Sequence, residues 1–404
     1  MDPESLFGMA LGITPPWYVK AAEFSLDRGR LDLYLDFQRG AGFHCPTCGA
    51  EGSKPYDTSE GTWRHLNFFQ YETYLHARVP RVKCPRGCGV KQVQVAWARP
   101  DSGFSQLFEA YLMILLREMP VSKVAGLVRE HDTRLWRVLH HYVGQARSKE
   151  DYTDVRQIGV DETSSRRGHR YITIFADTER SKVIFATAGE DAPVVAAFKR
   201  DFMLHQGQPE KVREVCCDMS PAFIAGFEEF FPAAQITFDK FHVTKLLNDA
   251  VDQVRREEQR DRPELKKTRY IWLKNPDKLK QHQLSILERL THVNLKTARA
   301  YQIRLTFQDF WGVPPEAAEA FLRKWFFRAT HSRLAPIRKA AWTIKQHWNG
   351  ILRWFTSRIN NGILEAINGL VQAAKARARG YRSNRNLIAM TYLIAGKLQM
   401  DLPT

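Results

Sequence analysis

The sequence predicts a multidomain α/β protein in which a mixed β-sheet is interrupted by a long all-helical insertion. Two observations carry this prediction. Short strands and helices follow residue 154 in the order βββαβαβ, and the chain from residue 240 to about 350 has helical periodicity. A third observation, two closely spaced cysteine pairs before residue 90, predicts a small separate domain near the N-terminus.

Composition and charge narrow the class of protein. The hydrophobic content of 44% and the charged content of 26% exclude wholesale disorder. The longest apolar run, 107–116, is too short to cross a bilayer, and residues 1–4 lack the basic start of a signal peptide. We therefore expect a cytoplasmic protein with no membrane partner.

Most of the positive charge lies in the C-terminal part of the chain. Residues 251–404 carry 29 Lys and Arg against 12 Asp and Glu, while the whole chain has a formal charge of +16. Such a concentration of charge favours a polyanionic partner, of which nucleic acid is the commonest. A basic face kept for solubility and a membrane-surface patch are the alternatives.

The first structural motif consists of two cysteine pairs, one with C-x-x-C and one with C-x-x-x-C spacing. The 35 residues between the pairs alternate between apolar and polar side chains, as strands do. Each pair contains a Pro and a Gly, which suit a tight knuckle with both sulfurs turned to one ion. Four thiolates on two knuckles are typical of structural Zn²⁺, and an intracellular location disfavours disulfides. Four unligated thiols are the alternative. The predicted ligands are Cys45, Cys48, Cys84 and Cys88.

Three short helices come next. Apolar spacing predicts helices over 104–118 and 121–129, and a third that Asp132 or Thr133 caps and that runs to about residue 142. A capped turn before a basic helix suggests a helix-turn-helix, with Arg134 and Arg137 pointing outward to DNA. A plain three-helix bundle is the alternative, because the turn lacks the common glycine.

The catalytic core is predicted from five strands and two helices. The first three strands form a meander. The first strand ends in two carboxylates, Asp161 and Glu162, and the fourth and fifth end in Asp218 and Asp239. This order is ribonuclease-H-like. No glycine-rich loop follows a strand, which argues against a dinucleotide fold or a P-loop. The strands are predicted at 156–162, 171–177, 182–187, 212–218 and 234–239, and the helices at 192–204 and 221–230.

Asp161 and Asp218 end adjacent strands of such a sheet, so we expect their carboxylates to lie side by side. Close carboxylates repel unless a cation neutralises them, and oxygen ligands select Mg²⁺ or Mn²⁺. A pair of these ions supports in-line phosphoryl transfer. Glu365 is the candidate third ligand, because it lies on a polar face of the last predicted helix. Ordinary strand-end caps are the alternative.

The helix that carries Glu365 opens near 360–365 and leads into a strongly basic stretch. Its predicted apolar stripe is Ile363, Ile367, Leu370, Val371 and Ala374. The basic residues that we expect to hold DNA are Lys375, Arg377, Arg379 and Arg382. The helical region before this helix contains five tryptophans. Aromatic side chains at helical spacing are more simply explained as core residues than as residues that stack on bases. They are Trp311, Trp325, Trp342, Trp348 and Trp354.

These motifs together resemble the DDE transposases of the bacterial ISL-three insertion sequences, over essentially the whole chain. The cysteine pairs resemble that family's zinc ribbon. Ile158-Gly-Val-Asp-Glu162 with Gly168-His-Arg-Tyr171 resembles its first catalytic block, and Asp218-Met-Ser-Pro-Ala-Phe223 its second. Asp239-Lys-Phe-His-Val243 resembles its D-x-x-H element, and Asn361 to Asn368 with Gly380-Tyr-Arg382 resembles the block that bears the catalytic Glu.

The resemblance implies that Asp161, Asp218 and Glu365 are a metal-binding triad for two Mg²⁺ or Mn²⁺ ions. It also implies that Asp239 and His242 lie just outside that triad, although His242 could be an ordinary strand-end histidine. The family often has Ser before Asn-Gly and Glu-Gly-x-Asn after it. This chain has Asn360 and Glu365-Ala-Ile-Asn368, which leaves the glutamate in place.

The implied function is that of a DNA transposase of a mobile element, acting near the bacterial nucleoid. It would bind terminal inverted repeats, cut there, and join the 3′ ends to target DNA, as a homodimer or larger synaptic complex. A non-catalytic DNA-binding regulator or decayed transposase is the main alternative, and a structure-selective nuclease is another. The expected segments are a zinc ribbon (1–100), a helix-turn-helix (101–150), a first catalytic part (151–245), a helical insertion (246–355) and a C-terminal catalytic helix with basic tail (356–404).

Overall fold

A computed structural model describes residues 2–168, 170–189, 193–359 and 361–403. His169 and Asn360, which belong to the motifs above, lie outside the described residues. The chain forms two compact units, Met1–Ala146 with Gln399–Thr404, and Arg147–Leu398. Within the described ranges, no helix is long and apolar enough to span a membrane.

The first unit begins with one helix and five strands: α1 (Pro3–Ala10), β1 (Trp17–Ser25), β2 (Arg30–Phe37), β3 (Pro55–Phe68), β4 (Tyr71–Lys83) and β5 (Val90–Gln92). The strands form one sheet in the order β1-β2-β4-β3, with β5 paired to β4. The strands β2 and β4 are parallel, and the other pairs are antiparallel. The predicted alternation between the cysteine pairs is confirmed, because β3 and β4 form one long hairpin there.

Three helices complete the first unit: α2 (Gln106–Glu118), α3 (Val121–Val128) and α4 (Asp132–Arg147). The three predicted helices are confirmed, and α4 is longer than expected. Ser105 caps α2 by accepting a hydrogen bond from the Phe108 N–H at 3.2 Å. The α3 helix ends at Arg129 in a left-handed conformation, φ 55°, which turns the chain into α4 without a glycine.

The second unit begins with five strands and two helices: β6 (Gln157–Arg166), β7 (Arg170–Asp177), β8 (Lys182–Ala188), α5 (Pro193–Leu204), β9 (Glu214–Cys217), α6 (Pro221–Phe230) and β10 (Gln235–Phe238). The strands form a mixed sheet in the order β10-β9-β6-β7-β8. The strands β6, β7 and β8 form the predicted antiparallel meander, and β9 and β10 run parallel to β6. This is the ribonuclease-H-like arrangement.

The strand β6 differs from the prediction, because it continues four residues beyond Glu162. The buried side chains of Thr163 and Ser165 keep it in the sheet, paired with β7. Asp161 therefore lies inside β6, just past the end of its pairing with β9 at Gly159. The pair Cys216 and Cys217 is fully buried in β9, as expected for simple core residues.

Helices follow β10 without a further strand in the described chain. Trp311, Trp325 and Trp348 are buried, which confirms their prediction as core, whereas Trp342 is 55% exposed. The helices are α7 (Lys240–Glu258), α8 (Arg269–Trp272), α9 (Gln281–Thr291), α10 (Lys296–Asp309), α11 (Pro315–Thr330), α12 (Ala335–Gln346), α13 (Trp348–Ser357), α14 (Gly362–Arg377) and α15 (Asn384–Ala395).

The apolar stripe predicted for α14 is partly wrong. Leu370 is 54% exposed, and the buried residues of the helix are Leu364, Ile367 and Val371. Leu364 packs over Gly159 of β6, where a side-chain Cβ would approach the leucine Cδ1 to 2.7 Å. The glycine therefore permits the close contact that places α14 against the sheet.

Candidate active site

Three aspartates lie at one level across three neighbouring strands. Gly159 of β6 pairs with Cys216 of β9, and Cys217 pairs with Phe238 of β10. Continuing these two registers by one or two residues aligns Asp161, Asp218 and Asp239. The predicted adjacency of the two strands is therefore confirmed, with Asp161 inside β6 and Asp218 directly after β9. Asp239 directly follows the outer strand β10 and stands beside Asp218.

Burial sets the electrostatics of this carboxylate row. Burial raises the pKa of Asp161 above its usual range, and the nearby charges of Asp218 and Asp239 raise it further. Burial also raises the pKa of Asp239. The imidazole of His242 opposes both shifts, and its Nδ1 lies 4.0 Å from Asp218 Oδ2. His242 is thus the one predicted neighbour that faces the row as a potential cation.

The helix α14 contacts two of the aspartates through asparagines. Asn368 Nδ2 donates a 2.8 Å hydrogen bond to Asp161 Oδ2. Two turns earlier, the backbone N–H of Asn361 donates to Asp239 Oδ1 at 3.4 Å, and its Nδ2 donates to the carbonyl of Val160 at 3.2 Å. Neither asparagine is among the predicted site residues. Asn361 lies four residues before Glu365 and Asn368 three residues after it, which places all three on one side of the helix, but no local pattern shows what the asparagines bind.

Both asparagines keep an oxygen without a partner. Oδ1 of Asn361 and Oδ1 of Asn368 are buried, and neither has a hydrogen-bond partner within the described chain. A buried acceptor normally finds a donor or a cation. Two such oxygens beside a row of carboxylates match the donor set that a hard divalent cation and its bound water prefer.

Glu365 lies on the same stripe of α14 as these asparagines. Residues 361, 365, 368 and 372 follow a 4-3-4 spacing, which places them along one side of a helix. The Glu365 side chain is exposed, and in the described part of the chain its carboxylate makes no hydrogen bond or ion pair. The structure thus aligns the three aspartates at one end of the sheet, although among the described residues their ligand atoms do not all lie within 4.8 Å of one another, and the Glu365 carboxylate makes no contact with them.

A second constellation is the cysteine cluster of the first unit. Cys45, Cys48, Cys84 and Cys88 have their sulfurs within 4.8 Å of one another. Over the ranges that the structure describes, this is the only group of three or more potential ligand side chains that is so close. The Arg86 N–H donates to Cys84 Sγ at 3.3 Å. Backbone N–H donors lower the pKa of Cys84 to about 6, while the contacts with the Cys48 and Cys84 sulfurs raise the pKa of Cys88. Four crowded thiols with such opposed pKa shifts gain from a cation that neutralises all of them, as zinc does.

The two arginines predicted for DNA contact on α4 have different surroundings. Arg134 donates to Glu130 Oε2 at 2.5 Å and to the Gly103 carbonyl at 3.0 Å, and its guanidinium lies 4.0 Å from the Phe104 ring centre. This corrects the expectation of an outward side chain, because the turn before α2 already binds it. Arg137 is exposed on the same helix.

The predicted basic residues after Glu365 fall into two groups. Lys375 Nζ donates to the Ser164 carbonyl at 2.5 Å and so fastens α14 to β6. Arg377, Arg379 and Arg382 are exposed. Arg166 at the tip of β6 donates to the carbonyls of Tyr381 and Arg382, which adds another guanidinium to this surface.

Comparison with known families gives three matches in chain order. Residues 41–88 match the zinc finger of the transposases of IS204, IS1001, IS1096 and IS1165. Residues 93–143 match the helix-turn-helix domain of transposase family ISL3, which decides against a plain three-helix bundle. Residues 158–391 match the ISL3 model described as a transposase.

Two curated relatives that align with most of the chain are also transposases. The transposase for insertion sequence element IS1001 of Bordetella parapertussis is 27% identical over 92% of this chain and 94% of its own length. The transposase for insertion sequence element IS1557 of Mycobacterium tuberculosis is 26% identical over 89% of this chain and 87% of its own. Among solved structures, the Drosophila P element transposase strand transfer complex is similar with a TM-score of 0.41 and 11% identity, over 73% of this chain and 92% of that one.

Proposed function

The chain belongs to the ISL3 (ISL-three) family of transposases, and from this premise we propose that it cleaves DNA at the terminal inverted repeats of an insertion sequence and transfers the ends to target DNA. The observation that carries the proposal is the alignment of Asp161, Asp218 and Asp239 on three strands beneath α14, the helix that bears Glu365. Asp161, Asp218 and Glu365 are the proposed catalytic carboxylates. Asp239 and His242 are proposed to support them.

The donor set suits Mg²⁺ or Mn²⁺. Buried carboxylates with raised pKa values and two unpartnered amide oxygens gain most from a cation that takes only oxygen ligands. When bound by Asp161, Asp218 and Glu365, two such ions would activate the attacking oxygen and stabilise the leaving oxygen in phosphoryl transfer. The four cysteines fit one structural Zn²⁺ in the same way.

The chain's own residues prepare the site. Asn368 holds one oxygen of Asp161 and the Glu162 backbone N–H donates to the other at 2.8 Å, so the carboxylate has a fixed orientation. The backbone N–H of Asn361, the residue just before α14, holds one oxygen of Asp239. We propose that Glu365 turns toward the aspartates when DNA is bound, since its neighbours 361 and 368 on the stripe already contact them.

DNA contacts are proposed for both units. In the first unit the zinc ribbon and the helix-turn-helix would recognise the inverted repeats, and exposed Arg137 is a better candidate for contact than Arg134. In the second unit Arg377, Arg379 and Arg382 would hold the phosphates beside the cleaved bond. Lys375, as a clamp on Ser164, would support that surface. We also propose that the chain is organised in the five segments predicted from the sequence. It would act as a homodimer or a larger synaptic complex, at the bacterial nucleoid.

Replacing Asp161 or Asp218 by Asn tests the proposal. Each variant should lose cleavage of end-containing DNA and keep specific end binding, because the carboxylate has no part in recognition. A Glu179→Gln variant, at an exposed carboxylate in the turn after β7, is the control and should cleave normally. Unchanged cleavage by either Asn variant would favour a regulator that binds the ends without cutting. Cleavage without joining of paired ends would favour a nuclease.

A further inference from the structure

A large cleft opens in the helical part of the second unit, away from the aspartate row. It has a volume of about 830 Å³ and is lined by α10, the end of α11, the loop before α10 and the turn after α11. This volume is in the range of sites that hold a small ligand or a nucleotide. The catalytic residues and the cysteines do not line it.

The lining of the cleft is basic. Arg299, Arg328 and Arg333 line it together with two histidines, and the lining contains no Asp or Glu. Arg299 and Arg333 are exposed and make no side-chain hydrogen bond or ion pair with any residue that the structure describes. Arg328 makes one contact of 3.3 Å, with the hydroxyl of Thr306. Guanidinium groups gathered without carboxylates are suited to phosphate.

The backbone N–H groups at the start of α10 are not available to bind a phosphate. Glu258 accepts hydrogen bonds from the backbone N–H groups of Lys296 and Thr297, both at 2.7 Å, and so satisfies the first turn of the helix. This carboxylate is committed to the backbone and leaves the arginines of the cleft unpaired. An anion in the cleft would therefore be held by side chains.

An exposed aromatic pair lies in the same cleft. Phe327 is 64% exposed, and its ring stacks on His331 with centroids 4.0 Å apart. The imidazole is fixed in this position, because His331 Nδ1 contacts the Phe327 carbonyl at 2.8 Å. A large exposed ring costs hydration free energy unless a ligand covers it, and nucleobases stack on such rings.

We propose that this cleft binds an unpaired DNA strand, with phosphates on Arg299, Arg328 and Arg333 and a base stacked on Phe327. The inference rests on the proposed function, since an enzyme that cuts the two strands at staggered positions would leave an unpaired strand at each end. Arginines beside an exposed aromatic ring favour a single DNA strand, which has both phosphates and bases, over a simple anion, which has no base to stack. Duplex DNA keeps its bases stacked inside and offers none to Phe327.

Two variants of the full chain separate the two contacts. Arg299→Ala with Arg333→Ala should lower the affinity for a short single-stranded oligonucleotide and reduce its salt slope by about 1.4, or about 0.7 for each lost phosphate contact. Phe327→Leu should weaken the same binding about fivefold or more. Phe327→Tyr should restore it. A 2-aminopurine base in the oligonucleotide should report stacking that Phe327→Leu removes.

The matched control is Lys211→Ala with Arg213→Ala. It removes the same charge from exposed positions on the same unit that do not line the cleft. This control should bind the oligonucleotide like the parent chain, and duplex binding should be alike in all variants. Equal losses in control and cleft variants would overturn the proposal, since general charge would then explain binding. Binding of free dAMP as tight as that of the oligonucleotide would also overturn it in favour of a nucleotide site.

The cleft proposal and the proposed function can fail independently. If the cleft variants cleave and join DNA normally and bind the oligonucleotide like the parent chain, only the cleft proposal is contradicted. Strand binding that depends on Phe327 and the two arginines, in a protein that never cuts DNA, would support the cleft and sink the transposase mechanism.

Discussion

The carboxamide of Asn368 holds Asp161 through a 2.8 Å hydrogen bond from Nδ2 to Oδ2, across more than two hundred positions of sequence. This contact joins α14 to the central strand of the sheet at the point where the aspartates align. The oxygen of the same carboxamide, Oδ1, is buried without a partner in the described structure. We regard Asn368 as a positioning residue for the site.

Asn368→Ala should weaken Mn²⁺ binding and DNA cleavage together. Loss of a residue that orients a metal ligand typically costs about 10- to 100-fold in metal affinity or activity. Isothermal titration with Mn²⁺ and single-turnover cleavage measure the two effects.

Gln372→Ala is the matched control for that variant. Gln372 lies one turn further along α14, and its amide donates to Thr163 Oγ1 at 2.7 Å and to the Ser164 carbonyl at 2.9 Å. The Gln372→Ala substitution removes an equivalent amide from the same helix, and this amide does not contact an aspartate. A loss of Mn²⁺ affinity as large in this control as in Asn368→Ala would assign the effect to helix packing.

The first unit should contain one zinc ion per chain. Cys48→Ser should abolish that zinc and unfold the knuckles, because a small metal-bound domain loses its folding free energy with its metal. Cys216→Ala, which removes a buried cysteine outside the cluster, should retain it. Elemental analysis of the purified proteins measures both. Full zinc in Cys48→Ser would show that the cluster is not the site.

A buried ion pair should stabilise the same unit. Glu109 is fully buried and accepts hydrogen bonds from Arg99 Nε at 2.8 Å, from Ser102 Oγ at 2.6 Å and from the Tyr142 hydroxyl at 3.2 Å. Arg99→Met leaves this carboxylate without its cation, which should cost about 3–5 kcal/mol of unfolding free energy. Hydrogen exchange of the α2 amides reports the loss.

The exposed pair of Arg81 and Asp57 is the comparison for the buried one. Arg81→Met should cost no more than about 1 kcal/mol, because solvent screens the pair. Adding Glu109→Gln to Arg99→Met should recover part of the stability, since the unpaired charge disappears. Equal costs for Arg81→Met and Arg99→Met would contradict the burial argument.

His65 should make the first unit sensitive to acid. Burial lowers the pKa of His65 to about 4, and its Nδ1 lies 2.7 Å from Ser105 Oγ. The unfolded chain has the ordinary histidine pKa of about 6.5, so between pH 6.5 and 4 the unfolded state binds the extra proton. The unfolding free energy should therefore fall on acidification, by at most about 1.4 kcal/mol per pH unit.

Urea unfolding with hydrogen-exchange labelling of β3 at several pH values measures that slope. His65→Asn should flatten it. Because all other titratable groups are common to the variant and the parent chain, the difference between their slopes isolates His65. A slope that does not change in His65→Asn would contradict the assignment.

The strands and helices of the catalytic core could be predicted because their signals are local. Alternating or continuous apolar runs identified β6, β9 and β10, and parallel pairing then required Asp161 and Asp218 to meet. The cysteine knuckles are equally local. Their spacing alone fixed which four sulfurs share a site.

The remaining features depend on contacts between distant parts of the chain. Asn368 and Asn361 bind aspartates more than a hundred positions away, and no local pattern marks them. The outward direction expected for Arg134 was wrong because Gly103 and Glu130 offer it partners. Leu370 was placed on the buried stripe of α14, although the position of β6 selects Leu364 instead.

The central claim is that Glu365 completes the site formed by Asp161 and Asp218. Its most direct test is single-turnover cleavage of end-containing DNA in Mg²⁺ by Glu365→Gln, compared with Glu316→Gln in α11 as a first-turn control. The account predicts that Glu365→Gln binds the ends normally and cuts at least about a thousandfold more slowly, equivalent to about 4 kcal/mol of barrier, while the control cuts at the parent rate. Cleavage by Glu365→Gln at the parent rate would contradict it and leave Asp239 as the third carboxylate of the row.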